Sequence, residues 1–130
     1  MKATELMVGD WVSLFQGNPD GSSCNVQVSY IGVYGEVGIE GCEEYTSANC
    51  NLLFPIPLTP EILEKNFSST TDWYFIGTDK FCFRIDKYKD KWDLYFGRDG
   101  KGTNLRIKIN YVHELQHALR LCNISKEIEI

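Results

Sequence analysis

A chain of 130 residues, 43% hydrophobic and 13% aromatic, suits one domain or two small lobes and can bury a core without disulfide staples. Its formal net charge of -5, with no long basic run, disfavours generic binding to a phosphate backbone. No apolar stretch approaches the length of a membrane span and the opening residues hold no apolar signal segment, so the expectation is a soluble, cytoplasmic protein with no membrane association.

Leu6 to Asp10 leads through a turn at Gly9 and Asp10 into a strand over Trp11–Phe15. Residues 16–23 read as a loop from their Gly, Asn, Pro, Asp and Ser content. Asn25–Val33 alternates Val26, Val28 and Tyr30 against Gln27 and Ser29, the pattern of a half-buried strand. Gly32, Gly35 and Gly38 mark bends around a third strand near Glu36–Glu40; no helix signal follows them, so the spacing is no phosphate-binding fingerprint. Short strands, a long first loop and abundant glycine predict a small SH3-like β-barrel over residues 1–56.

The five cysteines, Cys24, Cys42, Cys50, Cys82 and Cys122, form no C-x-x-C pair and read as reduced thiols. Cys82 and Cys122 look like core fillers, whereas Cys24, Cys42 and Cys50 sit in Gly, Ser and Asn context and read as more exposed. Neither a zinc site from those three nor an activated thiol is signalled.

Phe54-Pro-Ile-Pro-Leu58 is an extended connector, held out of helix by its prolines. Thr59 as N-cap, Pro60 at the first helical position and Glu61 beside the dipole start a short helix over Pro60–Lys65, with Ile62 and Leu63 inward. Asn66 is the expected left-handed stop, and Phe67 packs back. Strands follow at Asp72–Ile76, Phe81–Lys87, Lys91–Gly97 and Leu105–Ile109, an antiparallel meander whose last turn is a hairpin at Arg98–Gly102. The domain reading is a lobe over 1–56 and a second over 57–130. Trp73, Tyr74, Tyr88, Trp92 and Tyr95 could form a platform for a base or sugar, beside a basic patch of Lys80, Arg84, Lys87, Lys89 and Lys91. Core packing and cross-strand pairing account for the same aromatics without a ligand, and nucleic acid is accordingly the third of three functional readings.

The strongest amphipathic signal spans Asn110–Cys122. Tyr111, Val112, Leu115, Ala118, Leu119 and Cys122 share one apolar stripe that predicts a helix covering the meander. Asn110 is the expected N-cap, and Asn123 closes the helix in a left-handed conformation. Within it, His113-Glu-Leu-Gln-His117 matches the zinc-protease pattern H-E-x-x-H, in which two imidazoles one turn apart ligate zinc and the glutamate activates a water. Both histidines fall opposite the stripe, on the face expected to meet solvent. A third ligand is missing: the chain has 2 His, Arg120 and Asn123 stand where metzincins carry a glycine and a third histidine, and the 13 residues after His117 leave no room for a second ligand helix. Lys126-Glu-Ile-Glu-Ile130 alternates like a short final strand, and only an upstream carboxylate stays open as a ligand.

Pro55-Ile-Pro-Leu-Thr-Pro-Glu-Ile-Leu-Glu-Lys-Asn-Phe67, together with Tyr111-Val-His-Glu-Leu-Gln-His-Ala-Leu119, resembles a group of small proteins of Bacteroidetes genomes and their phages or mobile elements. The layout shared is a Gly-Asp/Asn-Val opening strand, a Pro-Ile-Pro-Leu-Thr connector, aromatic strands and a Tyr-Val-His-x-Leu-Gln helix. Many of that group read Val-His-Gln-Leu-Gln-Asn in the helix, so this chain departs at Glu114 and His117, and the resemblance implies no activity. The expectation is therefore an α+β protein that acts as a non-catalytic interaction module on a protein partner, as monomer or dimer, with no catalytic residue, metal or cofactor. The alternative is a compact zinc hydrolase with His113 and His117 as ligands and Glu114 as general base.

Overall fold

The computed structural model describes residues 1–15, 22–71, 73–77, 81–88, 91–98 and 105–130. Most of the predicted 16–23 loop, Lys80, Lys89, the side chain of Tyr88 and the centre of the Arg98–Gly102 hairpin lie outside the described residues. The fold is mixed α+β, with two antiparallel five-stranded sheets and two α-helices. Two compact units divide the chain: Met1–Pro57 with Tyr111–His117, and Leu58–Asn110 with Ala118–Ile130.

In the first unit, β1 (Trp11–Phe15), β2 (Ser23–Ile31), β3 (Glu36–Glu40), β4 (Ser47–Asn49) and β5 (Leu53–Pro55) pair in the order β4-β3-β2-β1-β5. The side-chain period of two decides the faces. Val12 and Leu14, Val26 and Val28, Val37 and Ile39, and Leu53 all point into one buried cluster with Leu6 and Cys50. Each of these side chains contributes about 1.5–3 kcal/mol of transfer free energy on burial. Cys50, expected to be among the more exposed thiols, is buried instead, because the 3-10 turn Cys50–Leu52 points it inward. The register of β2 on β3 shifts between Val28 and Tyr30, and there the Tyr30 ring lies over Gly38 where any Cβ would collide with it.

The expected barrel closure is not seen among the described residues: β4 and β5 are the two edges and no pairing joins them. Neither edge strand was legible as a strand. Each has three residues, too few for a period, and Phe54 and Pro55 of β5 fall in the segment that reads as a connector, although an edge strand tolerates proline.

In the second unit, α1 (Pro60–Asn66) is followed by β6 (Ser68–Ser69), β7 (Trp73–Gly77), β8 (Phe81–Tyr88), β9 (Lys91–Arg98) and β10 (Leu105–Ile109), paired as the expected meander. Phe83, Ile85, Leu94 and Ile109 are buried at alternate positions, and Phe67 stacks on Phe83 at 6.3 Å. Thr59 caps α1 by accepting from the Ile62 N–H. Two expectations fail together here. Asn66 is not a left-handed stop but a buried helical residue, and Lys126–Ile130 forms no strand. The Asn66 amide explains both: its Nδ2 donates to the Ile62 and Glu129 carbonyls, and its Oδ1 accepts from the Glu129 N–H at 2.8 Å. A side chain thus plays the part of a partner strand for the segment that contains buried Ile128.

The last helix, α2, runs Val112–Leu121, one residue shorter at each end than its apolar pattern suggests. Tyr111, not Asn110, flanks it, and Glu114 reaches back to accept from the Tyr111 N–H at 3.2 Å, half of a capping box. Its C-terminus is the expected left-handed closure. Asn123 sits at φ 56, its N–H donates to the Arg120 carbonyl, and the Ile124 N–H donates to the Leu119 carbonyl, which together make a Schellman motif.

Candidate functional site

None of the His-Glu-Leu-Gln-His residues is fully exposed. His113 and Gln116 are each 7% exposed, and His117 is only partly exposed. This corrects the exposed-face expectation, and the cause is a turn from the start of the first unit. Met7 to Asp10 closes through an Asp10 N–H to Met7 carbonyl bond, with Gly9 at φ 89 in the position that requires a positive φ. Gly9 and Asp10 then bond the backbone of Val28, which fixes the turn on β2.

Onto this turn the helix places three side chains. Gln116 is bidentate: its Oε1 accepts from the Trp11 N–H and its Nε2 donates to the Gly9 carbonyl, both at 2.9 Å. His117 Nε2 lies 2.7 Å from Oδ2 of Asp10, a carboxylate with 0% exposure. The same oxygen accepts from the Met7 N–H. Because a carboxylate accepts, His117 carries hydrogen on Nε2. Nε2 is one of the two ring nitrogens through which a histidine can ligate zinc, and here it is committed to Asp10. Glu114, the general base of the hydrolase reading, is bonded back to its own helix end.

The structure therefore brings His113, His117 and the upstream carboxylate Asp10 into one neighbourhood. Among the described residues, no group of three His, Cys, Asp or Glu side chains could hold a metal ion. Asp10 and Gln116 are the residues that sequence reading missed. Asp10 was legible only as a turn residue; nothing in the sequence signals that Gln116 would span a strand start.

His113 is the remaining member. Its ring stacks on Tyr111 at 5.9 Å and meets the His117 ring edge-on at 5.7 Å. Its Nδ1 has no hydrogen-bond partner among the described residues. Burial holds its basicity below the ordinary histidine value, against the opposing pull of Glu114 and Asp10. The folded state thus resists a proton that the unfolded chain accepts below about pH 6.5. Above that value both states are neutral at this site; as pH falls below it, stability falls. A His113→Phe variant, which keeps the stacking, is expected to show a flatter thermal midpoint between pH 7.5 and 5.5, roughly, than the parent chain. Parallel slopes for the two proteins in thermal melts would show that His113 is not the group responsible.

The aromatic residues of the second unit divide between two faces. Trp92 is buried, donates its indole N–H to the Leu58 carbonyl at 3.0 Å and takes Tyr74 edge-on. On the other face Trp73 and Tyr95 hold the Arg84 guanidinium between them, at 4.9 and 4.8 Å from the ring centroids. Arg84 is also paired with Asp86 at 3.1 Å. The expected basic patch thus has its arginine neutralised and stacked, and the ring faces that a base would use are shared with it.

The first unit does present an open groove. On the outward face, β1, β2 and β5 place Ser13, Phe15, Asn25 and Phe54 around a cleft of about 370 Å³, with Ser23 and the Pro55–Pro57 segment as its walls. Phe15 and Phe54 meet edge-on at 6.5 Å, yet remain 39% and 50% exposed. All lining side chains are neutral, hydroxyl or amide where polar.

No family model, no curated protein and no solved structure matches this chain.

Proposed function

We propose that the chain is a non-catalytic interaction module, cytoplasmic and of the Bacteroidetes or phage type that it resembles, and that its first unit takes an extended segment of a protein partner in the Phe15–Phe54 groove. The observation that carries this reading is the contrast between the two candidate sites. His117 and Glu114, a ligand and the general base of the hydrolase reading, are engaged in holding α2, whereas two aromatic rings are left half exposed around a neutral cleft. Such a cleft recognises shape and apolar contact, with a few amide and hydroxyl groups for orientation.

An SH3-like assignment for the first unit is supported by the order β4-β3-β2-β1-β5, by the 3-10 turn Cys50–Leu52 between β4 and β5, and by the bulge that bends β2. The shared motifs of the resemblance also gain a physical sense: Gln116 of the Tyr-Val-His-x-Leu-Gln helix bonds the Gly9–Trp11 opening.

Selection of a displayed random-peptide library on the whole chain tests the reading. The expected result is a convergent set of peptides whose synthetic versions lose about tenfold in affinity with Phe54→Ser, a substitution at a half-exposed site that leaves the fold intact. No convergent set, or one indifferent to Phe54→Ser and Phe15→Ser, overturns the groove as the binding surface.

A further inference from the structure

The tip between β2 and β3 carries a second apolar feature, separate from the groove. Val33 is 73% and Tyr34 99% exposed, with Ile31 beside them at 38%. Tyr34 is also one of two non-glycine residues at positive φ among the described residues, at φ 57 and ψ 25, a conformation that L side chains rarely adopt. The tip is not loose chain. The Gly32 N–H donates to the Glu36 carbonyl at 2.8 Å, the Glu36 N–H to the Val33 carbonyl, and the Tyr30 hydroxyl to Glu36 Oε1 at 3.0 Å. Strain and hydrogen bonds together hold an aromatic ring out in water, where burial gives nothing back.

Charge says what the ring meets. No Lys or Arg stands between Lys2 and Lys65, whereas the whole chain has 13 in 130 residues; at that frequency about six would fall in this stretch. Glu36 borders the tip, and Glu40, Glu43 and Glu44 are exposed on the same unit. Such a field repels nucleic acid and an anionic bilayer. A second copy would bring the same acidic tip, and three side chains fall well short of the roughly 800 Å² per partner of a stable interface. We propose that Ile31, Val33 and Tyr34 form a preorganised docking finger for a protein partner that offers an apolar pocket ringed by Lys and Arg. A rigid aromatic at the centre with charge around it is the arrangement that concentrates binding energy in one side chain.

A benzophenone amino acid in place of Tyr34, in the full chain, photo-crosslinked in extract of its own cells, supplies the partner. That partner is then identified, purified and titrated. The expected partner has a cationic rim, and its affinity falls about tenfold with Tyr34→Gly and several-fold between roughly 50 and 300 mM salt. Tyr34→Gly, which relieves the positive φ, is expected to leave the thermal midpoint unchanged or raised, so that loss of docking is not loss of fold. Phe54→Ser leaves the affinity intact, which separates this surface from the groove. Crosslinks only to itself, to lipid or to nucleic acid, or none beyond those from the same group placed at exposed Leu121, overturn the proposal. A purified partner indifferent to Tyr34→Gly does so as well.

Discussion

Asp10→Ala is expected to destabilise the protein by about 3–4 kcal/mol, and His117→Ala by about 2–3 kcal/mol. The asymmetry follows from the geometry. Removing Asp10 strands two donors at once, the Met7 N–H and His117 Nε2, which share one carboxylate oxygen. Removing His117 leaves the Asp10 carboxylate fully buried with its imidazole partner gone, but His117 itself is a quarter exposed and water can enter where it stood. Denaturant unfolding of both single variants and the double variant gives the coupling, expected at about 1–2 kcal/mol because the two share the interaction. Additive losses would mean that the pair is not coupled as the 2.7 Å contact requires. The same melts run with and without a chelator decide the zinc question. The structural reading expects the parent chain to lose nothing to the chelator, and His117→Ala to lose the same stability in either condition. A chelator-dependent drop in the parent, abolished by His117→Ala, would restore the hydrolase alternative.

How far the sequence could be read differs by element. The strands of five residues or more were legible, β1, β3 and β10 to the residue, because alternate apolar residues leave a period of two that little else imitates. The starts of both helices and the Asn123 closure followed from local capping chemistry to within a residue or two. Three-residue strands, and a tail held by the Asn66 amide, leave no such trace. The site failed for a sharper reason. A helical wheel sorts residues by polarity and assigns the polar face to water. In α2 much of that face is covered, and its polarity suits it to be covered: both ends of the Gln116 amide bond backbone, and His117 finds Asp10. Satisfaction by a turn some hundred residues away is a tertiary fact, and an i, i+4 histidine pair looks the same whether zinc or aspartate receives it.

Gln116 should matter as well as Asp10, and its behaviour separates packing from hydrogen bonding. Gln116→Met keeps length and apolar contact but removes both polar atoms. The Trp11 N–H opens β1 and donates to Gln116 Oε1 at 2.9 Å. Loss of that bond at a part-buried donor is expected to cost about 1–2 kcal/mol. The Gly9 carbonyl is less exposed to the change, because Gln27 Nε2 also donates to it at 3.0 Å. Gln116→Glu therefore makes the informative comparison: it keeps an acceptor for Trp11 and replaces the Gly9 donor with a second oxygen. Its cost is expected to exceed that of Gln116→Met, since a carboxylate oxygen against the Gly9 carbonyl is repelled while the methionine is merely silent. If both variants unfold within about 0.5 kcal/mol of the parent, the helix is not fastened to the first strand through this side chain. Hydrogen exchange gives the local version of the same test. Protection of the Trp11 amide should fall in both variants by more than protection of the Leu14 amide, which lies deeper in the sheet and does not depend on the helix.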